Sequence, residues 1–267
     1  MKLIMLGTGN AMALFCYNTC FVLTNERGSL LVDGGGGNGL LKQLDLAGIS
    51  YRDLHTIYVT HQHLDHLMGI VWLVRCIGMD VKNGKDFGSY TIYAHRKLCV
   101  VLDGICRSLL PKEYPKAIAS GRLQIIPVND REEADLLGCR SVFFDIRSTK
   151  MDQFGFRMDY EPGKALVCCG DEPLQEHCFS LAEGADFLLH EAFCLKADEP
   201  VYHAYEKHHS TVEDACRLGE QLHVKNLLLY HTEDDHLKDR RRLYTAEGQK
   251  VYSGHLIVPE DLDTIEL

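Results

Sequence analysis

The sequence lacks the features that mark membrane, secreted or disordered proteins. It has no apolar run of about 18 residues, so no transmembrane helix is predicted. It also has no long polar tract and no proline-rich or serine-rich linker, which argues against extended disorder. The amino-terminal stretch is short, is interrupted by glycine and lacks the cleavage pattern of a signal peptide. We interpret this stretch as a first strand followed by a turn.

Paired cysteine motifs are absent as well. The 11 cysteines include no CxxC pair and no regular spacing, so they predict neither a disulfide framework nor a cysteine zinc site. A reduced, cytoplasmic setting is the simpler expectation. The adjacent Cys168 and Cys169 are predicted to lie in a buried strand, because free cysteine packs as a small apolar group.

The chain has no excess of basic residues. Its formal net charge is −10, whereas proteins that bind long nucleic acids usually present a basic face. The one basic run contains Lys238, Arg240, Arg241 and Arg242. We interpret this run as a solvated helix face, with a local basic patch as the alternative.

With 267 residues, no internal repeat and no linker, the chain is predicted to form a single domain over residues 1–267. Apolar spacing predicts strands and helices in two similar halves. Several predicted strands end in polar residues of the kinds that ligate metals. These strand ends lie at Asp33, His61, Asp171, His190-Glu191 and His231. A capping box of Ser210 and Glu213 predicts a helix start.

The strongest local signal is the segment His61-Gln62-His63-Leu64-Asp65-His66. Three imidazoles and one carboxylate follow an apolar strand within six residues. These are ligands that zinc and related divalent ions prefer. The alternative, a histidine-rich surface loop, is weaker because the strand before the segment and the helix after it would fix its geometry.

The HxHxDH spacing of this segment resembles the signature of the metallo-β-lactamase superfamily. Other motifs resemble its ribonuclease Z-like branch. They are Leu6 to Gly9, Asp33, Gly170-Asp171, His190 to Phe193, His209 to Thr211, and Tyr230-His231. The resemblance implies an α/β fold, the αββα sandwich of two mixed β-sheets with helices on the outer faces.

The resemblance also implies a set of metal ligands. One ion would take His61, His63 and Asp171, and another would take Asp65, His66, Asp171 and His231. Asp33 would support the histidine loop. The implied cofactor is zinc, as one or two ions, with manganese or iron as alternatives. Such ions make water a nucleophile at neutral pH.

Three residues receive catalytic roles from the same resemblance. His209 would donate a proton near the leaving group, Glu191 would orient His209, and Asp65 would assist as a base toward the water. His208, next to His209, is a weaker candidate for the site. Without the resemblance, His209 is equally well read as the residue before a helix cap.

The pattern departs from the family at one ligand. A further histidine is expected several residues before Gly155-Phe156, and none occurs there. The first ion would bind weakly, Asp145 or another group would replace the histidine, or one ion would suffice. Arg147 and Lys150 occupy this stretch and either bind an anionic substrate group or are ordinary surface charge.

The sequence therefore predicts a metal-dependent hydrolase, with a small anionic or phosphodiester substrate. No tRNA-binding arm fits between Thr149 and Asp171, and this, with the acidic charge, argues against tRNA. The alternatives are a thioester or lactone hydrolase, and a non-catalytic metal-binding protein that retains the fold. No membrane partner is expected, and a homodimer is an open alternative to a monomer.

Overall fold

Short apolar segments bounded by glycine and polar residues form most of the strands, and they are buried as expected for such segments. The computed structural model describes residues 1–267 and contains two sheets of seven strands each. The first sheet has the order β14-β1-β2-β3-β4-β5-β6. Its strands are β1 (Lys2–Gly7), β2 (Cys20–Asn25), β3 (Gly28–Val32), β4 (Thr56–Val59), β5 (Tyr90–His95), β6 (Leu123–Val128) and β14 (Thr264–Glu266).

The second sheet repeats this plan with the order β13-β12-β11-β10-β9-β8-β7. Its strands are β7 (Glu133–Leu136), β8 (Cys139–Asp145), β9 (Phe154–Glu161), β10 (Lys164–Cys168), β11 (Phe187–Glu191), β12 (Asn226–Tyr230) and β13 (His255–Ile257). Each sheet has antiparallel pairs on one side and three parallel pairs on the other. Parallel pairing aligns the carboxyl ends of neighbouring strands, which is where such sheets usually form sites.

Helices cover the outer face of each sheet. Those of the first half are α1 (Gly39–Leu46), α2 (Leu64–Lys82), α3 (Arg96–Leu109) and α4 (Glu113–Ala119). Those of the second half are α5 (Phe179–Ala182), α6 (Glu199–Tyr202), α7 (Val212–Gln221) and α8 (Arg240–Gly248), and short 3-10 turns lie at Tyr51–Asp53, Glu176–Cys178 and Lys196–Asp198. No helix is both long and apolar enough to span a membrane.

Three apolar layers hold the sandwich together. The middle layer lies between the sheets and joins residues such as Phe21 and Tyr58 of the first to Phe156 and Leu189 of the second. Each outer layer packs one sheet against its own helices. The predicted αββα sandwich is therefore confirmed, with two mixed sheets inside and helices outside. Cys168 and Cys169 are buried, as predicted.

Two local predictions were wrong. The helix after residue 210 is capped one residue later, because Thr211 and Asp214 form the capping box while Ser210 turns toward Glu191. The basic run is not a uniformly solvated face, since the side chain of Arg240 is buried. Its guanidinium donates to Thr232 Oγ1 at 2.6 Å, to Thr8 Oγ1 at 2.9 Å and to a backbone carbonyl.

Candidate metal centre

The histidine-rich segment lies where β4 passes into α2. β4 is a buried central strand between parallel neighbours, so its carboxyl end delivers Thr60 and His61 to one edge of the sheet. α2 begins at Leu64, which places Asp65 and His66 in its first turn. The strand and the helix therefore fix both ends of the segment, as the sequence pattern predicts.

The loop after β3 packs directly against α2. Gly34 donates its N–H to the His66 carbonyl at 2.8 Å, and Gly69 donates to the Gly35 carbonyl at 2.9 Å. A Cβ atom on Gly69 would lie only 1.8 Å from the Gly34 oxygen, so no larger residue fits there. This close approach holds the loop and the helix in register.

Asp33 organises the first-sheet side of the site. Its Oδ1 accepts the Thr60 N–H at 2.8 Å, and its Oδ2 accepts the Thr60 hydroxyl and His66 Nδ1, both at 2.8 Å. A carboxylate only accepts, so Nδ1 of His66 carries a proton and Nε2 is the ring nitrogen that faces the cluster. The Thr60 hydroxyl donates to Asp33, so its oxygen accepts from His61 Nδ1 at 2.9 Å, and the opposite nitrogen, Nε2, lies 2.8 Å from His63 Nδ1.

The second sheet contributes from two strand ends. β10 leads through Gly170, which has a φ of 83°, to Asp171. β12 leads to His231, whose φ of 58° is a left-handed conformation that non-glycine residues seldom adopt. These turns direct a carboxylate and an imidazole toward the histidine segment of the first sheet.

One carboxylate oxygen, Oδ2 of Asp171, lies at the centre of the resulting cluster. It is 3.3 Å from His61 Nε2, 3.4 Å from His63 Nδ1, 3.8 Å from His66 Nε2 and 3.7 Å from His231 Nε2. Asp65 completes the other side, because its Oδ2 lies 3.4 Å from both His66 Nε2 and His231 Nε2. All six predicted metal ligands thus meet in one place.

The charges of the cluster shift the pKa values of its members in different directions. Burial alone would raise the pKa of Asp171, but the neighbouring imidazoles of His61 and His63 hold it well below its usual value. Burial lowers the pKa of His61 and of His231, against the carboxylates beside them. Burial would also lower the pKa of His66, yet Asp65 and Asp33 raise it well above its usual value, so a metal ion bound here would displace a proton from Nε2.

The unsatisfied atoms of the cluster fit a divalent cation. His66 Nε2 and Asp171 Oδ1 are buried with no hydrogen-bond partner, an arrangement that is costly unless a ligand supplies positive charge. Ligands at about 2.0–2.1 Å from a tetrahedral zinc ion stand about 3.3–3.4 Å apart. Separations of 3.3–3.8 Å found here are close to that value, and the 2.8 Å between His61 Nε2 and His63 Nδ1 is shorter.

His209 and Glu191 form a second pair beside the cluster. His209 Nδ1 lies 3.6 Å from Glu191 Oε2, and the His209 ring stacks on Phe193 with centroids 4.8 Å apart. Glu191 is fully buried, and its other oxygen accepts the Ser210 N–H and hydroxyl at 2.6 Å each. The His209 ring is 5.2 Å from that of His231, so the pair borders the cluster.

Other residues named from the sequence are placed differently. Asp145 accepts the backbone N–H of Arg147 at 2.7 Å and shows no contact with the cluster, so it does not replace the missing histidine. His190 accepts the N–H of Leu174 behind the site. His208 lines the cavity over the cluster but belongs to neither group of converging ligand atoms.

The sequence interpretation missed two contributors. Thr60 links Asp33 to His61, and a threonine before the motif carries no signal of that role. Lys207 lines the cavity with its Nζ 5.2 Å from the centre of the Phe193 ring. The cavity measures about 570 Å³ and opens over His63, Asp65 and Asp171.

The fold is that of the metallo-β-lactamase superfamily, and the motifs and relatives of the chain identify a metal-dependent hydrolase of its ribonuclease Z-like branch. Residues 1–251 match the family described as Anti-Pycsar protein Apyc1. The chain belongs to this family.

Similar proteins span the whole chain. Ribonuclease Z of Thermococcus sibiricus is 23% identical over an alignment of 312 positions, which covers 100% of this chain and 96% of the relative. The metallo-β-lactamase fold protein YhfI from Bacillus subtilis superposes with a TM-score of 0.78 at 18% identity, covering 100% of this chain and 99% of YhfI. The short form of human tRNase Z gives a TM-score of 0.73 at 21% identity, covering 100% and 99% of the two chains.

Proposed function

We propose that this protein hydrolyses a small phosphodiester with the help of divalent metal, most simply zinc. The observation that supports the proposal best is the convergence of four imidazole nitrogens on Asp171 Oδ2 within 3.3–3.8 Å. Side chains from two sheets are held there with buried lone pairs and no internal partner for several of them. Such an arrangement is expensive in a folded protein unless it has a cation to bind.

Two ligand groups share the carboxylate of Asp171. His61, His63 and Asp171 would form one group, and Asp65, His66, Asp171 and His231 would form the other. An ion bound to these groups would supply positive charge for the phosphoryl oxygens and would lower the pKa of water. The chain itself orients these imidazoles, because Asp33 and Thr60 contact Nδ1 of His66 and His61 and so direct Nε2 of each ring toward the ion.

The pair of His209 and Glu191 is proposed to handle the proton of the leaving group. His209 lines the cavity at 8% exposure, so its imidazole can reach a bound substrate. Stacking on Phe193 and the carboxylate of Glu191 fix the orientation of the ring. A positioned imidazole of this kind accelerates proton transfer by about 10²- to 10⁴-fold.

The size and charge of the protein favour a small substrate. The cavity of about 570 Å³ is in the usual range for small-molecule sites. Where a tRNA-binding arm would lie, β9 and β10 are joined by a tight turn at Pro162 and Gly163. A net charge of −10 also disfavours a long polyanion.

The test is turnover of bis-p-nitrophenyl phosphate by the purified protein after loading with Zn²⁺ or Mn²⁺. We expect hydrolysis that chelation abolishes and metal restores, and that Asp65→Ala and His231→Ala each remove. Asp45→Ala, at an exposed position on α1, is the control and should retain activity. Turnover of p-nitrophenyl acetate alone would point to acyl substrates, and metal binding without any turnover would point to a binding protein.

A further inference from the structure

The two ligand groups are unequal. The group of Asp65, His66, Asp171 and His231 that the resemblance implies would have four donors, the number that a closed zinc site uses, and the ligand atoms of Asp65, His66 and His231 lie within 4.8 Å of one another. The group of His61, His63 and Asp171 has three, because no histidine occurs in the segment from Asp145 to Gln153. This segment supplies a lysine to the site and no histidine.

Lys150 is the residue of this segment that lines the cavity, together with His63, Asp171 and His209. Its side chain is 23% exposed, and its Nζ lies 3.4 Å from Glu172 Oε1. Lys150 therefore lines the same cavity as His63 and Asp171 of the three-donor group. Arg147 does not line the cavity, so of the two cations in the segment only Lys150 faces the site.

Glu172 holds Lys150 in this position. It follows Asp171 directly in sequence, it is buried at 4% exposure, and its Oε1 also accepts the Ser148 hydroxyl at 2.8 Å. An ammonium group has three donors, and this contact uses one of them. The remaining donors are available to a ligand in the cavity.

The position of this charge has two effects. It opposes the binding of a second divalent cation by a group that already lacks a ligand, since like charges repel one another where water is partly excluded. It also attracts anions, because lysine binds phosphate as a point charge. Through these two effects, the Lys150 ammonium would take the role of a second metal ion.

We propose that Lys150, positioned by Glu172 and Ser148, binds the substrate phosphate in place of a second tightly held metal ion. The protein then works with one tight ion, held by Asp65, His66, Asp171 and His231. This inference rests on the proposed function, because it assigns the phosphate of that substrate to Lys150.

The test combines metal counting with phosphate binding and does not depend on turnover. Zinc-loaded protein is dialysed against a weak chelator, its zinc content is measured by mass spectrometry, and inorganic phosphate is then titrated by calorimetry. We expect one zinc per chain in the wild type, in Lys150→Gln and in Lys150→Arg. Phosphate affinity should fall at least tenfold in Lys150→Gln and be largely kept in Lys150→Arg.

Lys97→Gln is the matched control. Lys97 Nζ pairs with Asp152 of the same segment at 2.9 Å, but Lys97 is exposed and does not line the cavity. Its phosphate affinity should equal that of the wild type. Two equally tight zinc ions in the wild type, no phosphate binding to the wild type, or equal affinity in wild type and Lys150→Gln would each overturn the inference. The hydrolysis assay tests the proposed function separately.

Discussion

Nδ1 of His66 lies 2.8 Å from Oδ2 of Asp33, and this contact joins the first turn of α2 to the end of β3. The carboxylate sets which ring nitrogen of His66 carries the proton. The opposite nitrogen, Nε2, is buried and unpartnered at the ligand cluster. The orientation of a proposed metal ligand is therefore fixed by a residue that would not itself touch the ion.

Replacing this carboxylate should weaken metal binding while preserving the fold. In Asp33→Asn, the amide nitrogen would donate to His66 Nδ1 and move the imidazole proton to Nε2, where it blocks ligation. We expect zinc affinity to fall by about 10- to 100-fold, as for other residues that orient metal ligands. Calorimetric titration with zinc measures the change. Asp45→Asn is the control, and equal affinities in both variants would contradict the proposed role of Asp33.

His209→Ala should separate proton donation from metal binding. His209 is outside both ligand groups, so zinc content should stay at the wild-type level. We expect kcat for bis-p-nitrophenyl phosphate to fall by about 10²- to 10⁴-fold. His255→Ala, at an exposed position, should leave kcat unchanged. Loss of zinc from His209→Ala would instead assign His209 to the ligands.

The contact between Gly69 and the Gly34 carbonyl predicts a sharp difference between two glycines in helices. Gly69→Ala must push the Asp33 loop away from α2, and we expect a loss of about 3–5 kcal/mol in the free energy of unfolding. Gly104→Ala, in α3, meets no atom within 4 Å. It should be neutral or stabilising by up to about 1 kcal/mol, because alanine is the better helix former. Urea unfolding of both variants checks this, and a stable Gly69→Ala would refute it.

Asp80 near the end of α2 predicts a pH-dependent contribution to stability. Burial alone would raise its pKa, but hydrogen bonds from Arg52 Nε at 2.9 Å and Tyr51 at 2.6 Å lower it below its usual value. A lowered carboxyl pKa contributes stability above the unfolded-state pKa of about 3.9, and that contribution is lost as the pH falls through the folded-state pKa.

Asp80→Asn should therefore destabilise the protein by about 1 kcal/mol at pH 7, a figure that allows for the partial exposure of Arg52. The difference from the wild type should shrink as the pH is lowered toward 3. Urea unfolding across this range measures it, with the exposed Asp53→Asn as control. A difference that does not change with pH would argue that the charge of Asp80 is not responsible.

The sequence predicted the parts of the site that are local in the chain. His61 to His66 are placed by one strand and one helix, so their spacing alone indicated a metal site. Asp171 and His231 come from the other sheet, and only the resemblance to a family indicated that they join the cluster. The fold followed in the same way, since strand order depends on pairings between residues far apart in sequence.

Other features depend on tertiary contacts that residue types do not reveal. Lys150 and Arg147 look equivalent in sequence, but the segment turns at Arg147, whose φ is 56°, and only Lys150 faces the cavity. Arg240 looked like surface charge, yet it is buried because Thr8, Thr232 and a backbone carbonyl accept hydrogen bonds from its guanidinium. The helix cap is Thr211 and not the predicted Ser210, because the Ser210 hydroxyl donates to the Glu191 carboxylate.

The ligands are divided between the two sheets, with His61 to His66 on the first and Asp171 and His231 on the second. Neither half of the chain carries the full set of ligands, so neither half could bind an ion with all of them. A bound metal ion would thus require that both halves have docked correctly, and it would link the two sheets at their common edge. Removal of the metal would then weaken the contact between the two halves before it disturbed either sheet.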